Sequence, residues 1–153
     1  MSDNDTKTVE TAVGHFAGGY LCSQAILMAF ASRVGIEPGT AARIAASFGG
    51  GMARMGLTCG AVTGAMMVIG LKSGHETPTQ EFKKEKTYEL VRDFMEEFQK
   101  RNGTVSCREL LGVDLNTPQG LEKAAKEGMF ETLCPKFVRD AAEVLEKVLA
   151  DED

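Results

Sequence analysis

Four cysteines, Cys22, Cys59, Cys107 and Cys134, are the residues of this chain best suited by type to covalent, redox or metal chemistry. They stand singly, with no Cys-x-x-Cys pair of the kind that marks a zinc ribbon or a thioredoxin-type site, so spacing alone does not name the reaction. Position along the chain says more. Thr58 before Cys59 and Ser106 before Cys107 are expected N-caps, Pro135 after Cys134 suits a first helical turn, and Cys22 follows a break at Gly18-Gly19. All four thiols are thereby expected at helix N-termini, where unpaired amide N–H groups and the positive dipole end favour thiolate, the form that attacks disulfides and ligates metals. Arg54, Arg108 and Lys136 lie close to three of them and are expected to add to the effect. Two chemistries follow. Pairs of cysteines could cycle between dithiol and disulfide with a redox partner protein; alternatively, the four thiolates could hold an iron-sulfur cluster or a zinc ion. The third reading is a structural or partner-binding helical module, able to form a homodimer, in which each cysteine is a small buried apolar residue.

Glycine surrounds the second cysteine. Gly60 follows Cys59 directly and would expose amides at a helix start, and Gly50 and Gly51 lie in a triple-glycine loop that lets main chain approach whatever the thiols hold. These three are the expected cofactor-binding glycines. Cys59 is the expected most reactive thiol, with Gly60 beside it and Arg54 across the loop. His15 is expected to be a partly buried structural residue and His75 a solvated one, while Met52, Met55, Met66 and Met67 read as core filler. No Ser-His-Asp order, phosphate-binding loop or dinucleotide fingerprint is present.

The stretch from Phe48 to Ala65 carries Cys59-Gly60-Ala61-Val62-Thr63-Gly64, a C-G-A-x-x-G motif. Gly19-Tyr20-Leu21-Cys22-Ser23-Gln24-Ala25 precedes it, and Cys107 and Cys134 follow. This arrangement resembles, over nearly the whole chain, the family of redox-active proteins named for its pattern, C_GCAxxG_C_C. The resemblance implies a helical protein with four functional thiols working in redox chemistry.

The elements that must position these thiols are helical. Apolar residues recur at helical spacing almost throughout, with no sustained period-two pattern, so the fold class is all-α: one domain over residues 1–153, about five to seven helices, with residues 1–5 and 151–153 as frayed tails. A first helix is expected from Thr6 to Arg33, broken at Gly18-Gly19, and a second from Pro38 to about Phe48. A third is expected from Thr58 to Ser73, with Gly60 and Gly64 allowing close backbone approach. The fourth, Thr79 to Arg101, carries the stripe Thr87, Val91, Phe94 and Phe98. Ser106 and Glu109 read as a capping box, Thr117-Pro118 as a further start, and the last helix as running from Cys134 with Phe137, Ala141, Val144 and Val148 buried.

With 153 residues, 43% of them apolar, the chain can bury a core without disulfides. Its net charge of −5 argues against nucleic acid as a partner. The uncharged run Met55 to Leu71 is too short and too rich in glycine for membrane insertion. The N-terminal sequence carries no basic start followed by an apolar stretch, so a cytoplasmic, reducing address is expected, with the cysteines held as thiols or metal ligands.

Overall fold

The computed structural model describes residues 1–152, and among these the architecture is all-helical. In chain order the helices are α1 (Asp3–Ala17), α2 (Cys22–Phe30), α3 (Pro38–Ala45), α4 (Gly60–Ser73), α5 (Glu81–Asn102), α6 (Cys107–Leu111), α7 (Pro118–Lys126), α8 (Met129–Thr132) and α9 (Cys134–Ala150). A 3-10 turn, Ala31–Val34, continues α2. Nine helices among the described residues exceed the expected five to seven, because the expected first helix is two, α1 and α2, and the four-residue α8 fills a connection.

The centre is the α2–α4 pair, wrapped by α1, α3, α5 and α9. Ala25, Ile26, Leu27 and Phe30 of α2 and Ala61, Val62, Ala65, Val68 and Ile69 of α4 are buried, so each of these helices is apolar on nearly every side. Small residues make the approach possible: a Cβ added at Gly64 would stand 2.8 Å from the Ser23 carbonyl oxygen. The pairing is fixed further by polar contacts of α2 with α3, the buried Ser23 hydroxyl donating to the Ala45 carbonyl (2.8 Å) and the Gln24 amide to the Ala42 carbonyl (2.9 Å).

Helix boundaries depart from expectation where side chains compete for caps. The first helix starts at Asp3, not Thr6, because Ser2 and Asp5 form a reciprocal capping box that orders the presumed tail. At the other end Glu152 pairs with Lys86 (3.0 Å), while Asp153 lies outside the described residues. α3 stops at Ala45, three residues short of Phe48. On α5 the buried stripe is Leu90, Phe94 and Phe98, with Val91 half-buried and Thr87 hydrogen-bonded back to the Lys83 carbonyl. α9 buries the whole expected stripe. It also buries Glu146, which is paired with Arg33 and hydrogen-bonded to Asp5; burial first, then Asp5, push its carboxyl up to about 7.

No helix among the described residues is long and apolar enough to cross a membrane.

Candidate functional site

Each thiol stands at a helix start. Cys22, Cys107 and Cys134 are the first residues of α2, α6 and α9, and Cys59 is the N-cap of α4. Thr58, expected as that cap, instead pairs with Ser106 in an isolated antiparallel bridge. The bridge is extended by Cys59 N–H donating to the Val105 carbonyl (2.8 Å) and Cys107 N–H donating to the Leu57 carbonyl (2.6 Å), which sets Cys59 and Cys107 side by side. Ser106 caps α6 through the Glu109 amide, but the capping box is only half formed, because the Glu109 carboxylate accepts from Thr104 and the Ser106 amide donates to the Thr104 hydroxyl.

The four cysteines line one cleft of about 880 Å³. Its walls are mostly apolar, with Phe16, Tyr20, Leu110, Leu121, Phe130 and Phe137 prominent. Cys59 and Cys107 are 6% and 7% exposed, and Cys22 and Cys134 are half-buried. All four are free thiols.

Helix-start position alone does not make them equivalent. The Cys22 anion is favoured first by the neighbouring Cys59 thiol and then by the backbone amides of Ser23 and Gly50. The Cys59 contact outweighs burial, and together the donors bring Cys22 down from 9.0 to about 7. Cys59 is the other half of that contact: as donor to the Cys22 anion, and buried, it is held well above its usual range. Within this pair the anion is favoured at Cys22, the more exposed at the cleft, rather than at Cys59, the expected most reactive thiol. Burial, then the Cys22 charge, push Cys107 up to about 11; burial, then the charges of Cys22, Cys107 and Glu131, push Cys134 up to about 12. The supply of amides differs too: Cys22 has those of Ser23 and Gly50, and Cys59 has that of Ala61. Those of Cys59 and Cys107 are spent on the bridge, and Pro135 has no N–H to offer Cys134. The three expected cations do not serve the thiols either: Arg108 pairs with Asp114 (3.1 Å), Lys136 with Asp140 (2.6 Å), and Arg54 does not perturb any of the four.

The glycines take definite parts. Gly50 supplies an amide to Cys22, and a Cβ on Gly51 would come within 2.7 Å of the Cys107 Cβ. A Cβ on Gly60 would run into the Cys22 sulfur and stand 3.0 Å from the Phe48 carbonyl oxygen, so this glycine serves the site and the α2–α4 packing at once. The loop is wound left-handed: Gly50, Gly51, Met52, Ala53 and Arg54 have φ of 65°, 66°, 65°, 52° and 66°. Three of these are not glycine, a strained stretch beside reactive groups. Met55 is 52% exposed rather than core filler, while Met66 and Met67 pack against the core. His15 stacks edge-on against Tyr20 (5.7 Å), and His75 is exposed.

The family comparison agrees with the order of the thiols. Residues 20–148 match the family described as "Putative redox-active protein (C_GCAxxG_C_C)". The chain belongs to this family. No curated protein and no solved structure matches it. The family's label writes its central motif Gly-Cys-Ala-x-x-Gly, and this member carries it as Cys59-Gly60-Ala61-Val62-Thr63-Gly64.

Convergence on a cleft is not convergence on a metal site. Among the described residues no three His, Cys, Asp or Glu side chains stand close enough together to hold a metal ion. The cleft walls were not legible in sequence, since Phe16, Leu110 and Phe130 look like any core residue until the helices are in place. Their one common signal is that they flank elements whose first residue is cysteine.

Proposed function

We propose that this protein is a thiol–disulfide redox protein in which Cys22 is the attacking thiol and Cys59 the resolving one. The observation that carries the reading is the convergence of these two thiols in one open cleft at the starts of the closely packed helices α2 and α4, where a Cβ on Gly60, next to Cys59, would run into the Cys22 sulfur. The Cys22 thiolate attacks a substrate disulfide, forming a mixed disulfide and expelling one substrate thiolate. Cys59 then loses its proton to that thiolate and attacks the Cys22 sulfur, expelling the second. Two electrons pass to the substrate and a Cys22–Cys59 disulfide remains; every step is reversible. Stabilising the thiolate stabilises the reduced pair, which poises the couple toward accepting electrons. A reducing, cytoplasmic setting fits the cycle, because it returns the pair to thiols.

The test is to oxidise the reduced protein with diamide and map its disulfides by mass spectrometry, with Cys22→Ser and Cys59→Ser in parallel. The reading expects a Cys22–Cys59 bond absent from both variants, and a measurable two-electron midpoint. Tightly held metal that consumes all four thiolates, or a first disulfide that omits Cys22, overturns it.

A further inference from the structure

The redox pair needs a source of electrons, and the cleft over it has a definite character. Its volume, about 880 Å³, lies in the range of small-molecule sites, and its walls are aliphatic and aromatic. A peptide partner would meet few polar groups to pair its backbone, whereas an aliphatic chain would meet Phe16, Leu110, Leu121 and Phe130. Two charged side chains also line the cleft. Arg54, whose stem packs over Gly50, has no carboxylate partner among the described residues. Glu131 stands near Cys134, close enough to disfavour its ionisation. An anionic ligand end is therefore accepted beside Gly50 and Cys22 and repelled beside Cys134.

We propose that the cleft binds a small aliphatic dithiol ending in a carboxylate, chain against the apolar walls and carboxylate at Arg54, and that this molecule reduces the Cys22–Cys59 disulfide. The proposal rests on the thiol–disulfide reading and names the electron donor of that site. One donor thiolate attacks the Cys22 sulfur, the more exposed of the two, and expels Cys59, which takes up a proton. The donor's second thiol loses its proton and attacks the donor sulfur now bonded to Cys22, closing a cyclic disulfide and expelling the Cys22 thiolate. The donor gives up two electrons and the protein disulfide accepts them. Cys22 is the fitting final leaving group because its anion is held by the Ser23 and Gly50 amides.

The experiment follows thiol release from the diamide-oxidised full chain, mixed with dihydrolipoate, its neutral amide, or dithiothreitol. Dithiothreitol performs the same chemistry without the chain or the carboxylate. The expected result is saturable reduction by dihydrolipoate at least about tenfold faster than by dithiothreitol at low concentration, the margin that a few buried methylenes supply. Phe130→Ala and Leu110→Ala should each slow dihydrolipoate far more than dithiothreitol and so erase that margin. Arg54→Gln should slow the acid about fivefold and spare the amide, the size of a rim charge contact; Glu131→Gln should slow neither. Equal, non-saturating rates for all three reductants, or cleft substitutions that change every rate alike, overturn this donor while leaving the redox pair intact. Amide and acid reacting equally fast, with Arg54→Gln without effect, overturns the carboxylate and points to a chain carried on another protein. Failure of diamide to form the Cys22–Cys59 bond overturns both proposals, and the mass map taken before mixing shows which has failed.

Discussion

Removing the Cys59 thiol should change the acidity of Cys22 more than any other single substitution. The fall of Cys22 from 9.0 to about 7 corresponds to about 3 kcal/mol in favour of the anion. The Cys59 donor is its largest cause, and burial is the next in size and acts in the opposite direction. In Cys59→Ala burial is left against the amides alone, so Cys22 should titrate well above 7. Cys59→Ser keeps an O–H donor and should stay well below that variant. At pH 7 a thiol of pKa 7 is about half ionised and one of pKa 9 about 1%, a roughly fiftyfold difference in thiolate. The lower nucleophilicity of the more acidic thiol takes back a factor of roughly six to ten. Wild-type Cys22 should therefore alkylate about fivefold faster than an ordinary thiol at pH 7, and the pH midpoint is the sharper readout. Iodoacetamide labelling of the three reduced proteins across pH, resolved by peptide mass spectrometry, measures it. A midpoint that stays near 7 in Cys59→Ala, or labelling that reaches Cys59 before Cys22, would refute the donor argument.

The other expectations are quickly stated. Cys107 and Cys134, pushed up to about 11 and 12, should stay unlabelled at pH 8 in folded protein and react on denaturation. Gly60→Ala should cost about 1–3 kcal/mol in urea unfolding and disturb Cys22 labelling as well, because the new methyl meets the Cys22 sulfur and main chain. Ser23→Ala should cost about 1–3 kcal/mol by leaving the Ala45 carbonyl unpaired, without moving the Cys22 midpoint. Glu146 has a folded pKa raised from 4.5 to about 7, so its contribution to stability is complete below pH 4.5 and is lost as pH rises through 7. Glu146→Gln should flatten the stability profile over that window, and denaturant midpoints at several pH values will show it.

Local pattern carried the helices and the thiol positions, because both depend on residues near in sequence. The cysteines fall at helix starts for the reasons their neighbours suggest: Ser106 caps through its side chain, and Pro135 sits in a first turn. Ser2-x-x-Asp5 is less legible than Ser106-x-x-Glu109, because Asp stands where the pattern has Glu or Gln. What local pattern could not carry was the ranking of the thiols. That depends on Cys59 and Gly50 being brought to Cys22 from distant segments and on how deeply each thiol is buried. A helix start offers donors, and tertiary structure decides who receives them.

The left-handed loop gives this protein a region where the usual substitution preferences run backwards. In right-handed helices alanine is favoured and glycine costs about 1 kcal/mol, but from Gly50 to Arg54 the chain has the opposite hand. Ala53→Gly should accordingly stabilise the fold by roughly 1 kcal/mol, and β-branched residues there should be the least tolerated in the molecule. A D-amino acid at position 53, disruptive at nearly every other site, should be accepted, because its mirror-image Cβ matches the hand the backbone already has there. Chemical ligation of such a variant would turn chirality itself into a probe of the segment that shelters Cys22.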